Sequence, residues 1–160
     1  MIAVRSCKIA LVAAIALFFT LVALGNLTDY GSNWQFVQHV LSMDTTFPDS
    51  DLRWRAITSP EIQTAGYWLI IATQLAVTGL LWFGCWRLAA ALPGPDFAGA
   101  KGFAVIGLTL GLLLYMTGFA TIGGEWFAMW QSAVWNGQQK AFEFIGMIGL
   151  VLVVLLLPEG

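Results

Sequence analysis

Four apolar stretches fill most of this chain: residues 9–25, 65–86, 103–122 and 142–157. Each is about 16 to 22 residues long, near the roughly 20 that an α-helix needs to cross a hydrocarbon layer about 30 Å thick. The pattern predicts an all-α fold, a four-helix transmembrane bundle with an external cap of short amphipathic helices. Composition agrees: 59% of residues are hydrophobic and 10% charged, whereas soluble domains carry about a quarter charged residues. With four spans in the bilayer, the remainder forms external loops 26–64 and 123–141, a cytoplasmic loop 87–102 and two short tails. Residues 1–160 therefore read as a single integral membrane domain.

Arg5 and Lys8 before the first stretch, with Ala23 and Gly25 after it, have the ingredients of a secretory signal. The apolar run is about 17 residues, longer than the usual 7 to 15 of a signal core, so it is read as a span. Orientation follows from the cations, which are retained on the cytoplasmic side. Arg5, Lys8, Arg87 and Lys101 flank one side, and Arg53, Arg55 and Lys140 the other. The first helix carries most of this bias, giving both termini a cytoplasmic position in a multi-pass protein of a bacterial inner membrane.

That topology gathers the polar residues outside. Asp29, Asp44, Asp49, Asp51, Glu61 and Glu125 lie there, with Glu143 just inside span four. In the first loop, Trp34, Val37, Val40 and Leu41 have helical spacing, with Ser32 or Asn33 as a cap, and predict a short amphipathic helix on the membrane surface. Residues 44–51, with Pro48, predict a turn-rich connection. Ser59-Pro60-Glu61 is a helix start, because serine caps, proline fits the first position and glutamate favours the positive end of the dipole.

The second external loop places Trp126, Trp130 and Trp135 within ten positions, and the first two are expected on one side of a helix near the headgroups. An interfacial aromatic belt accounts for such tryptophans, and clustered tryptophan also makes a docking surface. Glu125, Gln131, Asn136, Gln138 and Gln139 suggest a polar network beside them. The candidate interaction surface is therefore Trp34, His39, Asp44, Glu125, Trp126, Trp130, Gln131, Trp135 and Asn136.

The segments Asn33 to Pro48 and Gly124 to Gly137 carry a resemblance. Through them the chain resembles a family of bacterial predicted small integral membrane proteins grouped as a domain of unknown function, over nearly its full length. The resemblance implies four transmembrane helices and brings no activity, cofactor or catalytic residue.

The spans are poor in the ionisable groups that mark transport or proton pathways. Thr73, Gln74 and Thr78 form their most polar patch, expected to make interhelical hydrogen bonds. Gly107, Gly111 and Gly118 lie with Ala104 on nearly one face of span three, where small residues let helices approach closely. No cofactor or metal is expected. His39 is the single histidine, which rules out a bis-histidine haem within one chain. A surface copper site of His39, Met43 and Met129 has the right donor types but an ordinary interfacial histidine accounts for His39. Cys7 and Cys85 have no metal-type spacing and face the reducing side. No basic patch for nucleic acid is present.

Two functions from different classes follow. One is a non-catalytic accessory or scaffolding subunit, in contact with membrane lipids and docking on a larger membrane protein or complex, respiratory or transport, or on a second copy of itself. The other is a membrane enzyme or carrier with an external pocket around His39, Asp44, Glu125 and Gln131.

Overall fold

The computed structural model describes residues 1–159. It is all-α, with no strand among the described residues. Helix α1 (Ile2–Thr28) is followed after the single non-helical residue Asp29 (φ −116°, ψ 52°) by α2 (Tyr30–Ser42). Turns and one 3-10 turn, Arg53–Arg55, lead to α3 (Pro60–Ala90). This helix starts where Ser59-Pro60-Glu61 predicts: the Ser59 Oγ accepts from the Ile62 N–H at 3.4 Å and Pro60 fills the first position, where its missing N–H costs nothing. Two 3-10 turns, Pro95–Phe97 and Gly99–Lys101, precede α4 (Gly102–Leu113). That helix runs without interruption into a π-helical segment, Leu114–Trp126, and α5 (Gln138–Leu156) ends the bundle. Helices α1 and α3, the α4 and π-segment unit and α5 are each long and apolar enough to cross a membrane.

The core runs through Val12, Ile15, Ala16 and Phe19 of α1, Val77, Leu81 and Leu88 of α3, Leu108 of α4 and Ile148 and Leu155 of α5, all buried. Leucines 17, 21, 24, 69, 75 and 150 stay on the outside. In water they would be a large apolar patch, but on a spanning bundle they face lipid tails as apolar as themselves.

Small residues set the distance between α3 and α4. A Cβ on Gly84 would lie 2.7 Å from the Ala104 backbone nitrogen and 2.9 Å from its Cα, so the two backbones touch there. Further along, a Cβ on Gly107 would meet Leu81 at 2.8 Å, and one on Gly111 would meet Phe19 at 2.7 Å. Gly118 differs from the sequence expectation, since a Cβ there would meet only Leu114 of its own segment, at 3.8 Å. The reason is the change of helix type. The Phe127 N–H donates to the Ile122 carbonyl at 3.0 Å and the Thr121 hydroxyl to the Met116 carbonyl at 2.8 Å, five residues back in each case. This wider coil carries the segment from α3 towards α5. A wedge therefore opens between α3 and the π segment, and α2 fills its mouth.

The first-loop helix also departs from expectation. It begins at Tyr30, before either proposed cap, and docks on α3, with Val37 in one cluster with Tyr67 and Ile71 and the Trp34 indole donating to Thr64 Oγ1 at 3.3 Å.

At the end of the bundle that holds both termini, cations tie the elements together. Arg5 donates to the Leu92 and Gly94 carbonyls at 2.9 and 2.7 Å and lies over the Phe97 ring. Lys8, 2% exposed, donates to the Leu157 carbonyl and pairs with Glu159 at 2.7 Å, and Lys101 reaches the same carboxylate at 2.6 Å. The two lysines thus complement the negative C-terminal end of α5.

Hydrogen bonds from Lys101 and then Lys8 hold the Glu159 carboxyl below its usual value of 4.5. A depressed carboxyl stabilises the fold above its unfolded value and loses that contribution as pH falls through the folded one. Below about pH 4.5 the detergent melting temperature should fall more steeply for the wild type than for E159Q; parallel curves would contradict this pairing. G84A drives a methyl into backbone and should cost about 1–3 kcal/mol, seen as a lower melting temperature than that of G118A. Equal melting of the two variants would remove the close-approach argument.

Candidate functional site

The end opposite the termini is a cap built from α2, the 43–59 connection, the last turn of the π segment and residues 127–137. It has a small core of its own, Val40, Met43, Phe127, Ala128 and Met129. Two of these residues, Met43 (φ 52°) and Ala128 (φ 50°), are left-handed without being glycine, a conformation that costs roughly 1–2 kcal/mol per residue. Met43 ends α2, and Ala128 stands between the Phe127 cap of the π segment and the next 3-10 turn; in both places the chain reverses while keeping its side chain buried. Ala128 also explains why Trp126 and Trp130 do not share one helix face: the helix stops between them and Trp130 sits on a separate 3-10 turn, Met129–Gln131.

The three tryptophans consequently find three partners. Trp126 packs edge-on against Trp54 at 5.9 Å, with the Arg55 guanidinium 4.6 Å from the Trp126 ring centre and 5.4 Å from that of Trp54. Trp130 packs edge-on against Phe47 at 5.8 Å. Trp135 stacks on His39 at 4.7 Å with 12° between the planes. Each contact joins the first loop to the second.

Polar groups add bonds between the loops and within each of them. His39 Nδ1 pairs with Asp44 Oδ2 at 2.8 Å. The Thr45 hydroxyl donates to Ser132 Oγ at 2.9 Å, which accepts from the Trp135 N–H at 2.9 Å. Gln131 Oε1 accepts from the Phe47 N–H at 3.2 Å, and Arg55 donates to the Trp126 carbonyl at 3.2 Å. Asn136 Oδ1 accepts from the Gln138 N–H at 3.0 Å, and the Gln138 side chain donates to Glu125 at 3.0 Å. Glu143 pairs with Lys140 on the first turn of α5 at 2.7 Å.

The structure thus brings His39, Asp44 and Trp135 into one cluster and reaches Gln131 through the neighbouring loop backbone. It places Glu125 and Asn136 with Gln138, and Trp34 at the contact of α2 with α3. His39 lines one interstice with Thr45, Ser132 and Trp135, Glu125 lines a separate cavity with Thr121, Gln138 and Phe142, and Asp44 and Gln131 line neither. Met43 and Met129 border the same interstice as His39, but it has no room for a water-sized sphere. Among the described residues no three His, Cys, Asp or Glu side chains converge as a metal site.

Below the cap lies a polar group that the sequence reading did not assemble. Tyr67 donates to the Asn26 carbonyl at 3.0 Å and contacts its Oδ1 at 3.2 Å, and Asn26 Nδ2 donates to Gln74 Oε1 at 2.7 Å. Thr73 and Thr78 instead bond carbonyls of their own helix, those of Leu69 and Gln74, so only Gln74 of that patch bridges helices. An asparagine ending one apolar stretch and a tyrosine in the next were the available signals. Only three-dimensional pairing joins them.

Four long apolar helices and a self-paired cap define a small integral membrane protein. The chain belongs to the family described as predicted small integral membrane protein (DUF2165), whose model matches residues 4–158. No curated protein and no solved structure matches it.

W135A removes the ring stacked on His39, an aromatic contact worth about 0.5–1.5 kcal/mol beyond its buried area. Amide exchange should speed up at residues 43–47 and 132–137 while α1, α3 and α5 keep their protection. An exchange map like that of the wild type would show that the stack does not hold the cap.

Proposed function

We propose that this protein is a non-catalytic accessory or scaffolding component of a bacterial inner membrane, docking through its external cap on a larger membrane complex. The observation that carries this reading is the exposed aromatic edge on a self-paired frame. Trp54 is 72% exposed, Phe47 53%, Trp126 47% and Trp130 46%, while the polar groups behind them are engaged with one another. Large aromatic side chains held in place before contact lose little entropy on binding and dominate interface energetics. Of the polar residues singled out for catalysis, His39 and Gln131 join the two loops, Asp44 pairs with His39 and Glu125 with Gln138, which suits a rigid binding surface better than a reaction centre.

The cation distribution supports cytoplasmic termini. Arg5, Lys8, Arg87 and Lys101 lie at the terminal end and Arg53, Arg55 and Lys140 at the cap, a bias led by the first helix.

A photo-crosslinking residue at position 130, in membranes at native expression, should give one discrete protein adduct that the same residue at lipid-facing position 150 does not give. Position 130 yielding only lipid adducts, with a bare monomer after mild-detergent extraction, would overturn docking and leave an interfacial aromatic belt. A cysteine placed at position 49 should react with a membrane-impermeant maleimide in intact cells treated to open the outer membrane. Labelling only after lysis would reverse the orientation.

A further inference from the structure

The wedge between α3 and the π segment is not filled. Under α2 it leaves a cavity of about 160 Å³ with apolar walls, including Phe36, Ile70, Phe119 and Ile122, and with Gly66 and Gly118 on opposite sides. Side chains are lacking where they would close it: a Cβ on Gly66 meets only Leu41, at 3.7 Å, and Gly118 has the open surroundings already described. A second space of about 90 Å³ adjoins it, sharing Phe36, Val37, Ile70 and Phe119 as walls, and is also lined by Asn26, Asn33, Tyr67 and Gln74. The combined space is apolar at one end and polar at the other, and no charged residue lines either part.

Gln74 supplies the decisive group. It is 2% exposed, and its Oε1 accepts from Asn26 Nδ2 at 2.7 Å. The order of donors along Tyr67, Asn26 and Gln74 leaves Gln74 Nε2 with two hydrogens and no acceptor among the described residues. Among the described residues the fully enclosed polar atoms without a partner are Arg5 Nε and Arg55 Nε, and Gln74 Nε2 is not one of them. Gln74 lines the polar space beside this triad, which is where a partner for the amide can sit. A buried amide left without an acceptor costs about 1–3 kcal/mol, a penalty that a ligand oxygen would relieve.

Depth narrows the ligand. Gln74 lies 13 residues along α3 from Arg87, about 20 Å at the helical rise of about 1.5 Å per residue. It is also 14 residues from Pro60 at the other end, so it lies near the middle of the long apolar helix, where the species at hand are amphiphiles with long apolar chains. Neutral walls disfavour a bare ionic headgroup, whose desolvation nothing here repays.

We propose that this cavity binds a neutral, carbonyl-bearing amphiphile drawn from the bilayer, its carbonyl oxygen accepting from Gln74 Nε2 and its chain lying along Gly66 and Gly118. A ring carbonyl of an isoprenoid quinone and the ester carbonyl of a glycerolipid share this chemistry. The proposal is independent of the docking surface, which it neither uses nor requires.

The full-length protein in mild detergent, titrated with decylubiquinone in one arm and with dioleoylglycerol in the other, tests it by native mass spectrometry. A saturable one-to-one adduct is expected in at least one arm, and the arm identifies the source. Q74L should weaken the adduct roughly tenfold, the scale of one hydrogen bond. G118L, which leaves the polar triad intact and fills the chain's path, should abolish it without lowering the melting temperature. Adducts in neither arm, or adducts equally strong in the wild type and in G118L, would overturn the proposal.

Discussion

The contact on which the rest of the structure depends is the backbone approach of α3 and α4 at Gly84 and Ala104. With no hydrophobic force between helices in lipid, dispersion and close packing must hold a bundle together, and small residues at the crossing make that packing dense. Because the two helices touch near the terminal end, their later course is a matter of angle and helix type. Gly107 keeps α4 on Leu81 and Gly111 keeps it on Phe19 and Val77. Beyond Leu113 the coil widens into the π segment and turns to α5. π-helical stretches are uncommon and often accompany functional sites, and here one opens the wedge that α2 and the cap cover.

The cap and the bundle are thus two consequences of one geometry. Divergence creates a mouth, and α2, standing on α1 after the break at Asp29, is placed to roof it. The roof needs two reversals of the chain, which Met43 and Ala128 make at left-handed angles. Buried contacts around them offset that strain. Aromatic pairs and short polar bonds then tie the two loops into one body. Rigidity at the cap and an open space under it follow from the same constraint.

Much of this was legible in the chain. Apolar runs of spanning length marked the four long helices, and Ser59-Pro60 marked the start of α3, because both signals are local. The face of Gly107 and Gly111 was legible for the same reason, while Gly84, its tightest counterpart, has no glycine three, four or seven residues away in α3 to give a periodic signal. Trp126 and Trp130 read as one helix face since spacing is blind to the left-handed residue between them. The Asn26, Tyr67 and Gln74 group and the Lys8, Lys101 and Glu159 cluster join residues far apart in sequence, and ordinary spacing rules do not reach that distance. His39 and Asp44, five apart, belong to one candidate pocket in the sequence, and the tight turn after Met43 makes them a direct pair.

Helix α3 and the α4 unit touch near the termini and part towards the cap. Spin labels in lipid-facing pairs measure this divergence directly by pulsed electron resonance in nanodiscs. A pair at Phe83 and Phe103, whose rings are 4.6 Å apart, should give a short, narrow distance distribution. A pair at Trp68 and Ile122, nearer the cap, should give a clearly longer one. Equal separations at the two levels would contradict the wedge and everything derived from it.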